Sequence, residues 1–226
     1  MSLHDQPEPP SLDHSPERGR HDKEGRQAAL IAAATRVFAE HGFDAATTRE
    51  VAEVAGCSEG LIHRYFGGKR GLLLALLEAR APEVADAVSR PPTSDASVAA
   101  EIATLICSQV DAMWEKRDIM RVNVSQASID LEIGDVIARH YNAPRVAFVE
   151  TRLAALQQAG RIRSDADIHA VAHALSGLGF AMGFWAQVVF AQPRDEVHQH
   201  AGAFAEILAR GLEPSPAHTS TGADSQ

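Results

Sequence analysis

The residues whose types and spacing can do chemistry gather in one short stretch. Residues 48–66 read TREVAEVAGCSEGLIHRYF. Two short helical segments joined by a turn of three to four residues containing glycine are the pattern of a helix-turn-helix. Ala52 is the small residue needed where the two helices cross, and Gly56 tolerates the positive φ of the turn. Val51, Ala55, Cys57 and Ile62 supply a small apolar core, which Phe66 extends by one turn. On the second helix, Ile62 and Phe66 set the buried direction, so Gly60, Leu61 and Arg64 point most nearly away from it, flanked by His63 and Tyr65. Such a face suits the major groove of double-stranded DNA. Gly60 admits close approach, Leu61 can meet a thymine methyl, and Arg64 can read guanine or grip a phosphate. Thr48 and Ser58 stand at helix N-termini, where hydroxyls, amides and dipole favour a phosphate oxygen. Arg49 and Lys69 reach toward the DNA from either side.

Elsewhere the chemistry is sparse. His169 and His173 are four residues apart on one helix, with Asp165 one turn earlier, a spacing compatible with two metal ligands. No cysteine cluster joins them, and polar helix surface is the simpler reading. A metal-responsive protein therefore stays an alternative, with no metal site assigned. No Ser/His/Asp grouping, metal-ligand signature or phosphate loop appears at interpretable spacing, which argues against an enzyme. Gly177-Leu178-Gly179 lies mid-helix with no preceding strand, so no dinucleotide cofactor is expected. Cys57 and Cys107 are too few to staple 226 residues and fit a reducing cytoplasm. Residues 1–22 are rich in Pro, His and acid without an apolar run, unlike a secretory signal.

The elements that must position these residues are helices. Strand-like alternation is scarce, and the pattern predicts an all-α chain of about nine helices. The first spans about 23–41, with Leu30, Ala34, Val37 and Phe38 on one face and Gly42 behind it. Thr47 and Glu50 form a capping box for the second, which Gly56 ends. Ser58 is expected to cap the third, 59–66, and Lys69 to open a fourth that Pro82 kinks or ends. Later helices fall at about 97–116, 119–130, 133–159, 166–191 and 195–211. The 168–193 stretch has no Asp, Glu, Lys or Arg, which raises the transmembrane question. Its histidines and glutamines, and the lack of a basic flank, favour a buried helix, so a helical membrane-associated protein is only a distant alternative. Residues 1–17 and 214–226 read as disordered arms, 18–72 as the helix-turn-helix domain and 73–213 as a larger helical domain. The net charge of −9 divides unevenly: −4 on residues 1–17, +2 on 18–72 and −7 on 73–226. The only net-positive segment is the one that carries the helix-turn-helix.

Residues 25–77 resemble the DNA-binding domain of the TetR family of bacterial transcriptional regulators. Ala33, Ala34, Phe38 and Gly42 match the family's first-helix run. Thr47, Thr48, Val51, Ala52, Ala55 and Gly56 match its TT…IA…AG. Ser58, Gly60, Ile62, Phe66, Lys69, Leu72 and Leu73 match the following segment. The chain departs where the family usually has Tyr at the position of His63, His at that of Tyr65, and a small polar residue at that of Leu61. The usual Tyr grips a DNA phosphate, so His63 or Tyr65 would have to replace it. The resemblance implies a cytoplasmic, homodimeric repressor that leaves a palindromic operator when a small molecule binds its C-terminal domain. For an apolar effector, Ile106, Val110, Met113 and Trp114 share one side of a helix, and Phe148, Phe180 and Phe184 could converge on it. For a dimer contact, Gly179, Gly183 and Ala186 permit close helix approach.

Overall fold

The computed structural model describes residues 16–87 and 96–214. Residues 1–15, 88–95 and 215–226 lie outside the described residues. Most of the arm expected at 1–17, the loop at 89–94 and nearly all of the tail from 214 fall there. Among the described residues there are nine continuous helices and no strand. Helix α1 is Pro16–His41, α2 Thr48–Ala55, α3 Gly60–Phe66, α4 Lys69–Ala87, α5 Val98–Glu115 and α6 Arg117–Ala127. Helix α7 spans 131–158 and passes through a π-helical stretch at Ala138–Asn142; α8 is Ile168–Val189, π-helical from Ala181 onward; α9 is Arg194–Leu212.

Local chemistry explains most boundaries. The capping box of α2 is complete: the Glu50 amide donates to the Thr47 hydroxyl at 3.2 Å, and the Thr47 amide donates to the Glu50 carboxylate at 2.7 Å. The Thr47 amide and hydroxyl, both donating to it, hold the Glu50 carboxyl below its usual pKa. Gly56 ends α2 in the left-handed region, φ 66°, with the Cys57 amide donating back to Ala52. Ser97, Asp130 and Asp167 cap α5, α7 and α8 through their side chains. The π stretch in α7 sits just before Pro144, which has no N–H for the carbonyl one turn back and whose ring crowds it. One extra residue in the turn relieves that clash.

Three sequence expectations give way. Helix α1 starts at Pro16, before Lys23. Helix α4 runs on to Ala87 through position 82, since one missing amide bond does not end a helix whose other bonds persist. Glu59, not Ser58, occupies the N-cap of α3, and no side chain caps that helix.

Two apolar clusters organise the molecule. The first joins Leu30, Val37 and Phe38 of α1, Val51 and Ala52 of α2, Ile62 of α3, and Leu72, Leu73, Leu76 and Leu77 of α4. It also takes in Ile119 and Val122 of α6 and Ile133 and Val136 of α7, so the helix-turn-helix rests on the α6–α7 corner. The second is built from α5, the later part of α7, α8 and α9. Polar clamps fasten the early part of α7 to α4. Arg70 at the start of α4 donates to Asp130 at 2.6 and 2.9 Å and to Glu132 at 2.6 Å. The Tyr141 hydroxyl donates to the Leu77 carbonyl at 2.9 Å.

Helix α8 is long and apolar enough to cross a membrane by length and composition alone. Its inner face, including Ile168, Ala172, Leu175, Gly179, Gly183 and Val188, is buried within the chain. Its outer face carries exposed Trp185 and Val189.

Candidate nucleic-acid interface

Helix α3 is held by its inner side. Ile62 is fully buried against Val51 and Ala52 of α2 and the leucines of α4. His63 and Arg64 are exposed, Leu61 and Tyr65 partly so. Gly60 is exposed too, and a Cβ there would meet no atom of the chain within 4 Å. Nothing internal demands glycine at this position, so the open space suits a surface that arrives from outside.

The sequence-selected residues divide by what already holds them. Arg64 makes no ion pair with a carboxylate among the described residues; its guanidinium lies 5.9 Å from the Tyr65 ring centroid. Tyr65 packs on the first cluster and meets Phe66 edge-on. The Ser58 hydroxyl forms no hydrogen bond among the described residues, consistent with its not capping α3. The Thr48 hydroxyl donates to the Glu59 carboxylate, tying the start of α2 to the start of α3. Arg49 pairs with Glu53 at 3.0 Å on the exposed side of α2. That exposed pair is weak and readily exchanged for a phosphate.

Lys69 has a different place. Its ammonium donates to the carbonyls of Phe43, Asp44 and Ala46 at 2.7, 3.1 and 2.9 Å and lies 4.6 Å from the Phe43 ring centroid. Three donors are thereby spent on the turn between α1 and α2. Lys69 fixes the loop that presents α2, rather than reaching outward.

The second unit places its candidates less uniformly. Ile106 and Val110 are buried in the second cluster, Phe148 packs against it, and Phe184 is buried as well. Phe180 stacks on Phe184 at 5.5 Å, and Met113 lies against Gly183. Trp114 does not converge with them. It is exposed, under the Arg117 guanidinium at 4.9 Å, because α5 turns that position outward.

The glycines expected at a dimer contact face inward. A Cβ on Gly179 would lie 2.2 Å from Oε1 of Gln109, and one on Gly183 would lie 3.1 Å from Cα of Val110. Ala186 packs on the same inner cluster. This small-residue stripe therefore lets α8 approach α5 within the chain. His169 and His173 stand edge-to-face, 4.6 Å between centroids, with Glu150 3.2 Å from His169 Nδ1. Among the described residues, no three His, Cys, Asp or Glu side chains gather as a metal site.

Three residues that matter to this geometry carried no sequence signal of their own: Glu59, Arg70 and Arg145. Each acts through a partner on another helix, eleven to sixty-two residues away.

Comparison with known proteins agrees with the geometry. Residues 30–76 match the model of the family described as bacterial regulatory proteins, tetR family. The HTH-type transcriptional repressor AcnR of Corynebacterium glutamicum is 43% identical over 60 residues, 26% of this chain and 32% of that protein. The match thus spans about a third of that curated relative's length. Among solved structures, a transcriptional regulator of Saccharomonospora viridis in complex with choline superposes with a TM-score of 0.69 at 19% identity, over 85% of this chain and all of that one (100%). The regulator FadR of Bacillus subtilis in complex with stearoyl-CoA gives a TM-score of 0.65 at 17% identity, over 82% and 99%. The fold is shared along most of the length, while the family model matches residues 30–76. The helix-turn-helix segment of this chain, residues 30–76, is thus similar to that of the tetR family of bacterial regulatory proteins.

Proposed function

We propose that the protein is a cytoplasmic, DNA-binding transcriptional repressor whose affinity for its operator falls when a small effector binds the helical unit formed by α5 and α7–α9. The observation that carries this reading is the outer face of α3. Gly60, His63 and Arg64 are exposed on a helix whose opposite side is locked into the first cluster. Arg64 is the base-reading residue. Ser58, Thr48 and Arg49 contact phosphates, and His63 or Tyr65 takes the remaining backbone contact. Leu61 supplies the apolar touch. Lys69 acts indirectly, by holding the 43–46 turn. The working division is residues 18–72 for DNA and 73–213 for effector binding and dimerisation.

A two-fold dimer would set paired recognition helices about one DNA turn apart on a palindromic operator. The outward faces of α8 and α9, with Trp185, Val189, Phe204 and Ile207 exposed, are its apolar surface. Effector binding would act by differential affinity for two spacings of those helices. Crystallised relatives of this fold hold ligands as different as choline and stearoyl-CoA, so the fold alone does not choose the ligand.

Selection of bound DNA from a random pool, with the full chain, tests the function and reads the operator. One enriched palindrome is expected; no enrichment removes the reading. Arg64→Ala should cost about 1–3 kcal/mol of specific binding and relax one base position, with folding unchanged. Unaltered affinity and base preference at fixed salt would take Arg64 out of the interface. Operator release that ignores divalent metals and chelators would eliminate a metal-responsive variant built on His169 and His173.

A further inference from the structure

The charges that α7 turns toward α5 do not balance, although Arg145 is only half-buried. Helix α5 carries Glu101, Leu105 and Gln109 at four-residue steps, on one face. Helix α7 meets it with Arg145 and Arg152, two turns apart on one face. Glu101 and Arg152 form a buried salt bridge. Arg145, on the next turn of contact, has no carboxylate partner among the described residues. One of its amino groups donates to the Leu105 carbonyl at 2.8 Å, and its Nε has no partner at all. Two guanidiniums thus face α5, and only that of Arg152 meets a carboxylate there. Burial alone pushes the Arg145 pKa down to about 10.

The neighbouring polar atoms are unsatisfied as well. Gln109, one turn of α5 beyond the carbonyl that Arg145 holds, donates to the Ser176 carbonyl at 3.3 Å, yet its Oε1 and the Ser176 hydroxyl lack partners. Gln109 and Ser176 are only 5% and 3% exposed. Leaving a half-buried cation without a counter-charge and two buried polar atoms without partners is destabilising, and an apolar residue at 145 would avoid the charge penalty. The groups that would complete this site are an anion with planar acceptor geometry, which a guanidinium matches side-on, and an apolar body to lie against Ile106 and Phe148.

We propose that the effector is an organic carboxylate, its head group paired with Arg145 and its apolar part lodged between α5 and α7. This rests on the regulator reading above, and names the chemical class that its sensing unit takes.

The test uses the full-length protein with hexanoate, octanoate and decanoate, against 1-alkanols of equal chain length, at matched ionic strength. Thermal melting and tryptophan fluorescence give the affinity. The acids should raise the melting temperature in a saturable way and the alkanols should not. Arg145→Met should weaken acid binding about tenfold or more while the ligand-free variant melts at or above the wild-type temperature. Arg145→Lys, which keeps the charge without the planar fork, should bind acid several-fold more weakly than wild type. Equal responses to acids and alkanols, no saturable acid response, unchanged acid affinity in Arg145→Met, or a marked drop in its ligand-free melting temperature would each overturn the proposal. The same samples enter the DNA selection. An enriched operator without an acid response sinks the carboxylate and spares the regulator. An acid response without an enriched sequence does the reverse.

Discussion

Helices α1–α4 and the helices that follow them are packed on different terms. Every buried side chain of residues 30–77 in the first cluster is apolar. All seven buried polar or charged residues described (Glu101, Gln109, Asn123, Gln126, Arg152, Ser176 and Gln187) belong to helices α5–α8. So do all five buried side-chain atoms without a partner. A core without polar groups has one good packing and few alternatives, which suits a unit that must present α3 in a fixed geometry. A core with unpaired polar groups gives up stability unless something else satisfies them. The first unit holds a shape, whereas the second keeps room for chemistry.

Breaking each core in turn probes that contrast, and the largest effects come first. Phe38→Ala should destabilise the first unit by about 3–5 kcal/mol, since Phe38 is fully buried and meets Phe43 edge-on. Denaturant titration measures it, and a loss under about 1 kcal/mol would mean that the DNA-reading core is looser than it looks. Glu101→Leu should cost a similar amount, about 3–5 kcal/mol, by stranding Arg152. Adding Arg152→Met should recover most of it. Failure of the double variant to recover would mean that this ion pair shapes the second core rather than merely occupying it.

Gly183→Ala should cost about 1–3 kcal/mol, because the added methyl meets the backbone of Val110 on α5. If dimerisation fails while monomer stability holds, α8 presents that face outward. The smallest effect is electrostatic. The Arg70 fork holds the Asp130 carboxyl at about 2, below the ordinary 3.8. A depressed carboxyl stabilises the folded state above its unfolded pKa, and that contribution fades as pH falls toward the folded value. The stability gap between wild type and Arg70→Ala should therefore be level from neutral pH down to about 4 and shrink between about 4 and 2. A gap that is flat across that window would show that the clamp adds nothing.

The same contrast decides what could be read in advance. The helix-turn-helix was legible because its determinants are local: Thr47 with Glu50, Gly56 at the turn and Ala52 at the crossing all act within a few residues. Gly179 and Gly183 announced a close helix contact, but a helix apolar on every side does not say which side faces its own chain. The task of Lys69 was hidden because the carbonyls it binds lie twenty-three to twenty-six residues upstream. Arg145 looked like any helix-surface arginine, since only the packed structure shows that no carboxylate comes to meet it. Capping at Ser58 failed because the chain enters α3 already helical at Glu59, with φ −56° and ψ −33°.

Helix α7 begins beside the Arg70 clamp and, fourteen residues after its first residue, Leu131, carries Arg145 against α5. It is a single lever, about 20 Å long over that span, with one joint in it: the π stretch before Pro144. A rigid rod would hand every displacement of Arg145 straight to α4 and the reading head. A jointed one can absorb part of the stroke. Removing one residue from 138–142 would straighten the joint and turn the two ends of the lever by roughly a quarter-turn relative to each other. In the proposed regulator, the length and phase of this one helix would set how far a displacement at Arg145 travels.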